Sequence, residues 1–545
     1  MKIKEIFLFM LLFITLLITG LAVVDDYGIS WDEYRNRING FFSYNYLVND
    51  DYSLFNYQDR YYGVAFDLPL IVAEKLLGLR TFRHIFLMRH YATFLFFYCS
   101  CLIFYFLSKR MLNSIPLAFT AVGLLAISPR IFADAFYNSK DIVFMGMFII
   151  AVYTMMIFLE KMSAGSALLH AAASAYLTDI RVMGIMVPFL TIAWVLFQTA
   201  GTGRTVVMIK RTLLYLVAYA GLTTLLWPYL WPAPLGNFTD AFIHMSRYPN
   251  AVETLYRGKT LMTDALPWHY LPVWMAITIP PVYTFFFVTG ASGILAGLIR
   301  GAKSDPAGKT EDLLVMAWFF GPVILVVVLG STLYDAWRQV FFIYPAFVLL
   351  SAKGLKSILK ITSRWGGRLK PILRAGLISC LTVQMVLVLW FMIKNHPHGN
   401  VYFNILAGKN YDGIKNRFEM DYWGLAYRQA LETILKTDRR EEITVFAAND
   451  PGVINSFILP EKERKRLWYV IDPREADYFI TNYRWRKTPY DLDNEVFSVK
   501  VKGAKIVSVF RLDRSPEKAE AAGRFRGRFF EYFDDASGIA VKGIN

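Results

Sequence analysis

A pair of carboxylates stands shortly after the first long apolar segment of the chain. Asp32 and Glu33 follow Trp31, and the apolar residues 6–24 precede them. At this boundary between lipid and water, a carboxylate can take a proton from a hydroxyl in water while it faces a molecule held in the lipid. The alternative is an acidic cap at the start of a helix. Position alone does not separate the two interpretations.

The composition is that of a protein that lies mostly in a membrane. Of its 545 residues, 55% are hydrophobic and only 19% are charged, which is less charge than soluble domains carry. Long apolar stretches recur up to about residue 394, so the chain is predicted to be a mainly α, polytopic helical membrane protein. The net charge of +15 does not indicate a nucleic-acid partner, because the basic residues lie mostly in short loops between the apolar segments.

About eleven segments approach the ~20 apolar residues that a membrane crossing needs. They are residues 6–24, 86–107, 115–133, 142–159, 166–178, 183–199, 212–231, 272–298, 313–330, 337–352 and 372–393. The fifth is short and could join the sixth in one long helix. A hairpin near 178–182 is favoured, because only then do the basic loops share the cytoplasmic side.

The opposite side is expected to be extracytoplasmic, and it holds the remaining loops together with the chain after residue 394. These loops are 25–85, 134–141, 178–182, 232–271 and 331–336. Within the first of them, residues 33–48 mix aromatic residues with Arg35 and Arg37, and residues 68–79 are apolar but too short to cross. Both are predicted to be helices in the plane of the interface; the alternative is ordinary packing helices of a folded loop.

The chain changes character after residue 394, where charge rises and the apolar runs shorten. Residues 423–437 have the pattern of a helix, and several short runs have the pattern of strands. The runs are 443–447, 467–471, 478–481, 495–501 and 506–512. We therefore assign 1–394 to a transmembrane domain and 395–515 to a small extracytoplasmic α/β domain. Residues 516–545 are expected to form a loosely ordered tail.

The loops on the side of the carboxylate pair collect ionisable groups near bilayer depth, where such groups are costly and usually functional. They are Asp25, Asp26, Asp32, Glu33, Lys140, Asp141, Asp179, Arg181, Asp335 and Arg338. This set matches what glycosyl transfer from a lipid-phosphate sugar needs. One carboxylate serves as general base on the acceptor hydroxyl, and one or two cations stabilise the phosphate leaving group. Arginine suits the second task because its planar fork matches phosphate oxygens.

Three short motifs stand in these loops, in an order that resembles a known superfamily. They are Trp31-Asp32-Glu33, then Tyr137-Asn138-Ser139-Lys140-Asp141, and then Tyr334-Asp335-Ala336-Trp337-Arg338 with Tyr344-Pro345 after it. The chain thereby resembles the GT-C integral-membrane glycosyltransferases, near the branch of the protein O-mannosyltransferases and aminoarabinose transferases (glycosyltransferase family 39-like). Two features depart from that pattern: Asp67-Leu68-Pro69 replaces a His-Pro-Pro segment, and the late arginine has no adjacent His or Lys.

The resemblance implies roles for the carboxylates in a direct displacement that inverts the anomeric centre. Asp32 corresponds to the catalytic base. Glu33 is the second acid of the pair, with a structural role or a nearby arginine as partner. Asp141 orients the acceptor or tunes Asp32, and the alternative is that it caps the fourth span.

The resemblance also implies a donor, a sugar carried on a polyprenyl phosphate, and residues that bind its phosphate. Arg338 is the first candidate, and its alternative is a side chain that reaches out of the lipid to the interface. Arg181 and Lys140 are further candidates for the same phosphate. The acceptor, whether protein, lipid or glycan, is not indicated. The enzyme is expected in the inner (plasma) membrane.

No metal or other cofactor is expected, since the seven histidines show no ligand spacing such as HExxH. A divalent cation at the outer carboxylates stays open. Two other functions stay open as well. A flippase or transporter of lipid-linked sugars would need charges at mid-membrane and an internal repeat, and the sequence shows neither. If the chain were a non-catalytic scaffold of envelope glycan assembly, the acidic residues of the loops would have no function.

Overall fold

The computed structural model describes residues 3–199, 205–246, 251–300, 306–363, 369–486 and 488–512. The tail expected over 516–545 lies outside these residues. Up to residue 394 the described chain is mostly helical. The helices are α1 (Ile3–Val23), α2 (Glu33–Asn49), α3 (Asp67–Leu76), α4 (Phe82–Leu112), α5 (Ile115–Ala126), α6 (Pro129–Tyr137), α7 (Asp141–Lys161), α8 (Ala164–Ile180), α9 (Met186–Thr199), α10 (Thr205–Leu226), α11 (Pro234–Ser246), α12 (Tyr270–Thr278), α13 (Pro281–Ile299), α14 (Pro306–Val328), α15 (Tyr344–Ser363) and α16 (Leu369–Lys394).

The chain is a multi-pass membrane protein, as predicted. In the described residues, 8 helices are long and apolar enough to cross a membrane, or up to 9 if a bent pair counts as one span. They are Ile3–Asp26, Phe82–Leu112, Asp141–Lys161, Val206–Leu226, Pro281–Ile299, Gly308–Val328, Arg338–Ser363 and Lys370–Lys394. Each of the predicted apolar segments is helical over most of its length, but the count of about eleven crossings is too high.

Two local causes explain the lower count. The third predicted span is broken into α5 and α6, which meet at 64°, because Pro129 starts a new helix and disfavours helical geometry in the residue before it. Pro280 and Pro281 also separate α12 from α13 within the predicted span 272–298, but α13 alone is long enough to stay in the count. The fifth and sixth spans correspond to α8 and α9, with 17 and 14 residues, which is short for a crossing.

The predicted hairpin near 178–182 is present, because α9 turns back beside α8 and His170 Nε2 of α8 lies 2.9 Å from Thr191 Oγ1 of α9. Helix α8 ends at Ile180, and the next residue, Arg181, contacts Asp141 at the start of α7. Because α7 and α8 are joined by a short connection at their other ends, α8 runs back along α7. The motif around Asp141 and the residues after α8 therefore lie at the same end of the helix bundle.

The predicted short helices of the loop 25–85 are confirmed as α2 and α3, which pack against each other. Their C-terminal ends expose apolar side chains, with Val48 59% and Leu76 82% exposed. Their position in the membrane interface stays a prediction. In the loop 232–271 the sequence analysis missed a hairpin of two strands, β1 (Glu253–Tyr256) and β2 (Lys259–Met262).

The chain after residue 394 forms a five-stranded sheet, and the predicted strands are confirmed within a few residues. The elements are α17 (Tyr411–Lys415), α18 (Tyr427–Thr437), β3 (Ile443–Ala447), α19 (Pro451–Ile454), α20 (Glu461–Arg464), β4 (Leu467–Tyr469), β5 (Tyr478–Thr481), β6 (Glu495–Val501) and β7 (Ala504–Arg511). The strand order is β4-β3-β5-β7-β6, with β3 parallel to β4 and β5 and the other pairs antiparallel. Helix α18 buries an apolar face that includes Leu431 and Ile434.

Candidate active site

The segment that carries Asp32 is fixed by the C-terminal part of the chain. The Asn455 side chain accepts a hydrogen bond from the Ile29 N–H and donates one to the Ile29 carbonyl, both at 3.0 Å. Gly28 must be small here, because an added Cβ would lie 2.3 Å from the Asn455 side-chain oxygen. Asp32 then immediately precedes α2, but its side chain makes no capping hydrogen bond. The helix-cap interpretation therefore does not account for its carboxylate.

Arg338 lies at the meeting point of three carboxylates. Its Nη1 is 3.0 Å from Asp32 Oδ2 and 3.0 Å from Asp141 Oδ2, and its Nη2 is 3.2 Å from Asp335 Oδ2. The Arg338 side chain is 1% exposed, so it does not reach out to the interface. Asp141 is the first residue of α7 rather than its cap, and its carboxylate is directed to arginines instead.

Two more arginines extend this contact network. Arg181 Nη2 contacts Asp141 Oδ1, and Arg484 Nη2 lies 2.8 Å from Asp335 Oδ1. Arg484 comes from the C-terminal sheet region, directly after β5. We call the resulting group the acid–arginine cluster; its members are Asp32, Asp141, Asp335, Arg181, Arg338 and Arg484. Its formal charges balance, and it joins five segments distant in sequence.

Solvent reaches the acid–arginine cluster on one side. The Asp32 side chain is 28% exposed, whereas those of Asp141 and Arg338 are 1% exposed and those of Asp335 and Arg484 are 7% exposed. Burial alone would raise the pKa of Asp32, but the charges of Arg338, then of Lys140, Arg35 and Arg181, bring it below its ordinary value. The most exposed acid of the cluster is thus an anion at neutral pH.

The other two predicted site residues are near the cluster but are held by different partners. Glu33 is buried; one oxygen accepts from the Ser30 N–H at 2.7 Å and the other lies 2.9 Å from His90 Nε2. Its partner is thus a histidine and not an arginine. The Lys140 ammonium lies 3.4 Å from the centre of the Tyr62 ring, and burial, then the charge of Arg181, lowers its pKa to about 8.

The backbone beside the cluster is strained on both sides of one ion pair. Asp335 and Ala336, just before Arg338, have φ values of 57° and 67°. Tyr483 and Trp485, which flank Arg484, both have φ values of 61°. Left-handed residues other than glycine cost of order 1–3 kcal/mol each and persist where the surrounding structure holds them, as at functional sites.

Aromatic rings line the arginines of the cluster. The Arg338 guanidinium carbon is 4.4 Å from the centre of the Trp423 ring, and that of Arg484 is 4.6 Å from the centre of the Trp31 ring. Such stacking orients a guanidinium plane without using its N–H groups. The Nε atoms of Arg181, Arg338 and Arg484 have no hydrogen-bond partner among the described residues.

Sequence reasoning assigned no role to two charged residues that the structure places at or near the cluster, Arg484 and Glu419. Arg484 had no assigned role; the only local signal is a basic residue between two aromatic residues after a strand. Glu419 lies in the electrostatic neighbourhood of Arg484 and Asp335, is buried, and accepts from the Leu255 N–H at 3.1 Å. Burial raises its pKa to about 7, against the lowering effect of Arg484.

The carboxylates of the cluster converge on a guanidinium rather than on a space that a cation could fill. Within the described ranges, no group of three or more His, Cys, Asp or Glu side chains could hold a metal ion. That the protein needs no metal stays a prediction.

Comparison with known proteins gives structural matches only. No family model and no curated protein sequence matches the chain. The apo structure of ArnT from Cupriavidus metallidurans matches with a TM-score of 0.50 and 12% identity, over 92% of this chain and 97% of that chain. The structure of the same ArnT bound to undecaprenyl phosphate gives a TM-score of 0.46 with 11% identity, over 92% and 98%.

A third match is the oligosaccharyltransferase of Archaeoglobus fulgidus tethered to an acceptor peptide, with a TM-score of 0.41 and 11% identity, over 83% of this chain and 61% of that chain. Of these three matches, only that to apo ArnT, with its TM-score of 0.50, supports a comparison of the folds. It extends from the membrane helices into the C-terminal sheet region. The chain therefore shares the overall fold of ArnT.

Proposed function

We propose that the chain is a glycosyltransferase that moves one sugar from a polyprenyl-phosphate donor to an acceptor on the extracytoplasmic face of the inner membrane. The observation that carries this proposal is the contact between Asp32 and Arg338. It places the most exposed acid of the cluster 3.0 Å from a fully buried guanidinium. In this proposal the base that water can reach thus adjoins the cation that would meet the donor phosphate.

In the proposed reaction, Asp32 accepts the proton of the acceptor hydroxyl. The hydroxyl oxygen forms a bond to the anomeric carbon as the bond from that carbon to the phosphate oxygen breaks. The electron pair leaves with the polyprenyl phosphate, and the configuration at the anomeric carbon is inverted. Arg338 and Arg181 stabilise the growing charge of the phosphate.

The acid–arginine cluster has no net formal charge before the donor binds. Other hydrogen-bond donors or charges are therefore needed to bind a phosphate. Three buried Nε–H groups of its arginines lack partners among the described residues, and unmade buried hydrogen bonds are costly. Phosphate oxygens satisfy such donors well. Lys140 adds a further positive charge close enough to lower the pKa of Asp32.

The remaining predicted residues take positioning roles in this proposal. Asp141 holds Arg338 and Arg181 in a fixed arrangement, and so acts on Asp32 through Arg338. Glu33 fixes the start of α2 through the Ser30 N–H and His90. Arg484 brings the C-terminal region into the site through Asp335. The GT-C fold supports the assignment, because the same kind of helix bundle carries a transferase in ArnT.

Deletion of the gene, followed by mass spectrometry of lipid-linked sugars and envelope glycans, tests the proposal. We expect one polyprenyl-phosphate sugar to accumulate and one glycan modification to disappear, with both restored by the wild-type gene. The accumulated lipid should lie on the extracytoplasmic leaflet. Accumulation on the cytoplasmic leaflet would instead indicate a flippase. Unchanged lipids and glycans would exclude the proposed transfer.

A further inference from the structure

A second basic surface lies where the last span meets the C-terminal sheet. Helix α16 ends at Lys394, and Lys500 and Lys502 come from the hairpin between β6 and β7. All three line one cavity of about 660 Å³, together with Trp390 and other residues of α16. The cavity shares no lining residue with the acid–arginine cluster.

The three lysines meet without an acidic partner. No ion pair links any of them to a carboxylate among the residues that the structure describes. Lys502 Nζ instead lies 5.4 Å from the centre of the Phe391 ring, and Lys394 Nζ lies 5.8 Å from that of Trp390. Three uncompensated cations beside one cavity favour an anionic occupant.

One part of the wall of this cavity is apolar and belongs to the last predicted span, although Gln384, Asn395 and Asn404 also line the cavity. Of the α16 residues that line it, Leu387 is 59% exposed and Trp390 63%. Beyond the span, Ile405 is 64% exposed and also lines the cavity. An apolar wall in the bilayer with lysines and a tryptophan at its upper edge is the arrangement that receives an amphipathic molecule at the membrane boundary.

We propose that this cavity binds the phosphate headgroup of an anionic phospholipid from the leaflet that adjoins the C-terminal region. A phospholipid satisfies both halves of the surface at once: its phosphate meets the three lysines, and its acyl chains lie along Leu387 and Trp390. A soluble anion would leave the apolar wall unused. The proposed lipid is a bound component of the protein and not its sugar donor.

The lipid would also stabilise the active site through the sheet. Strand β7 follows the hairpin with the lysines and pairs with β5, where Ile480 opposes Val509. Arg484 comes three residues after the end of β5 and contacts Asp335 in the acid–arginine cluster. A hairpin anchored to the membrane surface thus limits the movement of Arg484 away from the cluster.

Native mass spectrometry of the purified full-length protein in detergent tests the proposal, with phosphatidylglycerol or phosphatidylcholine added as the probe. We expect the wild type to retain phosphatidylglycerol and not phosphatidylcholine. The triple variant Lys394→Gln/Lys500→Gln/Lys502→Gln should lose this retention. The matched control Lys436→Gln/Lys462→Gln/Lys465→Gln removes the same charge from exposed lysines of the same region and should retain it.

The single variant Lys500→Gln removes an exposed side chain and keeps the test valid if the triple variant does not fold. It should weaken retention about fivefold. Equal retention of both lipids, equal loss in the control, or retention of polyprenyl phosphate alone would overturn the proposal. This readout does not depend on glycosyl transfer, so it stands or falls separately from the proposed function.

Discussion

Two buried arginines of this protein invite comparison, because each lies beside acidic residues of the loop 25–85. Arg338 and Arg89 are both 1% exposed, and Arg89 contacts Asp67 and lies 3.8 Å from Glu74. Both arginines keep N–H groups without a hydrogen-bond partner among the described residues. Burial and an unpartnered donor alone therefore do not separate the two arginines.

The difference lies in what surrounds each arginine. Around Arg89, the acids Asp67 and Glu74 are 8% and 3% exposed, and Glu74 is also bound by Arg37 at 2.8 Å. That group ties α2, α3 and α4 together and is closed to solvent. Around Arg338, one acid is 28% exposed and the adjacent backbone is strained. An open edge and stored strain distinguish a candidate site from a structural ion pair.

The largest expected effect follows from Asp32→Asn, which removes the base and keeps the shape of the side chain. We expect the transfer rate to fall about 10²–10⁴-fold, while the melting temperature changes little because Arg338 keeps Asp141 and Asp335. The control is Asp26→Asn, the same change at a 52% exposed residue of the same loop. A rate equal to that of the control would remove Asp32 from the mechanism.

The next effect concerns the contribution of the C-terminal region. Arg484→Lys keeps the charge but loses the planar fork that reaches both Asp335 and the Tyr422 carbonyl. We expect a rate at least about tenfold lower, since small displacements in a site are costly. The exposed Arg486→Lys serves as the control. If the two variants transfer sugar equally fast, the C-terminal region does not take part in the site.

Arg89→Gln should produce the opposite pattern to Asp32→Asn. Removing the cation leaves Asp67 buried without its partner, and breaking such a pair costs about 3–5 kcal/mol. We expect a clearly lower melting temperature, with a transfer rate per folded molecule within about twofold of wild type. Both are measured on the same purified sample. A stable variant that has lost its activity would show that Arg89 belongs to the site.

The smallest expected effect is a pH dependence of stability that arises from Glu419. Its pKa is raised from 4.5 to about 7, mainly by burial, so the folded state holds this proton more tightly than the unfolded state. The stabilisation is fully present below about pH 4.5 and is lost as the pH rises through 7. The melting temperature of the Glu419→Gln variant should therefore fall less between pH 5 and pH 8 than that of the wild type. Parallel pH profiles would contradict this assignment.

The sequence was sufficient where the signal is local. The strands β3 and β5 were predicted from short apolar runs, and the hairpin near 178–182 from the side on which basic loops lie. The number of crossings was overestimated because a hydropathy pattern does not show that Pro129 divides one span or that α8 and α9 are only 17 and 14 residues long. Arg484 could not be found, since its contact with Asp335 spans 149 positions and depends on how the sheet docks on the helix bundle.

Conversion of an isolated donor by the purified protein tests the central claim most directly. Lipids extracted from cells in which the gene is deleted would be incubated with the purified protein and an acceptor membrane. The amount of each lipid would then be quantified by mass spectrometry. The proposed reaction predicts that one polyprenyl-phosphate sugar disappears while free polyprenyl phosphate appears in equal amount, with wild type and not with Asp32→Asn. Consumption of no such lipid, or equal consumption by the Asp32→Asn variant, would contradict the account.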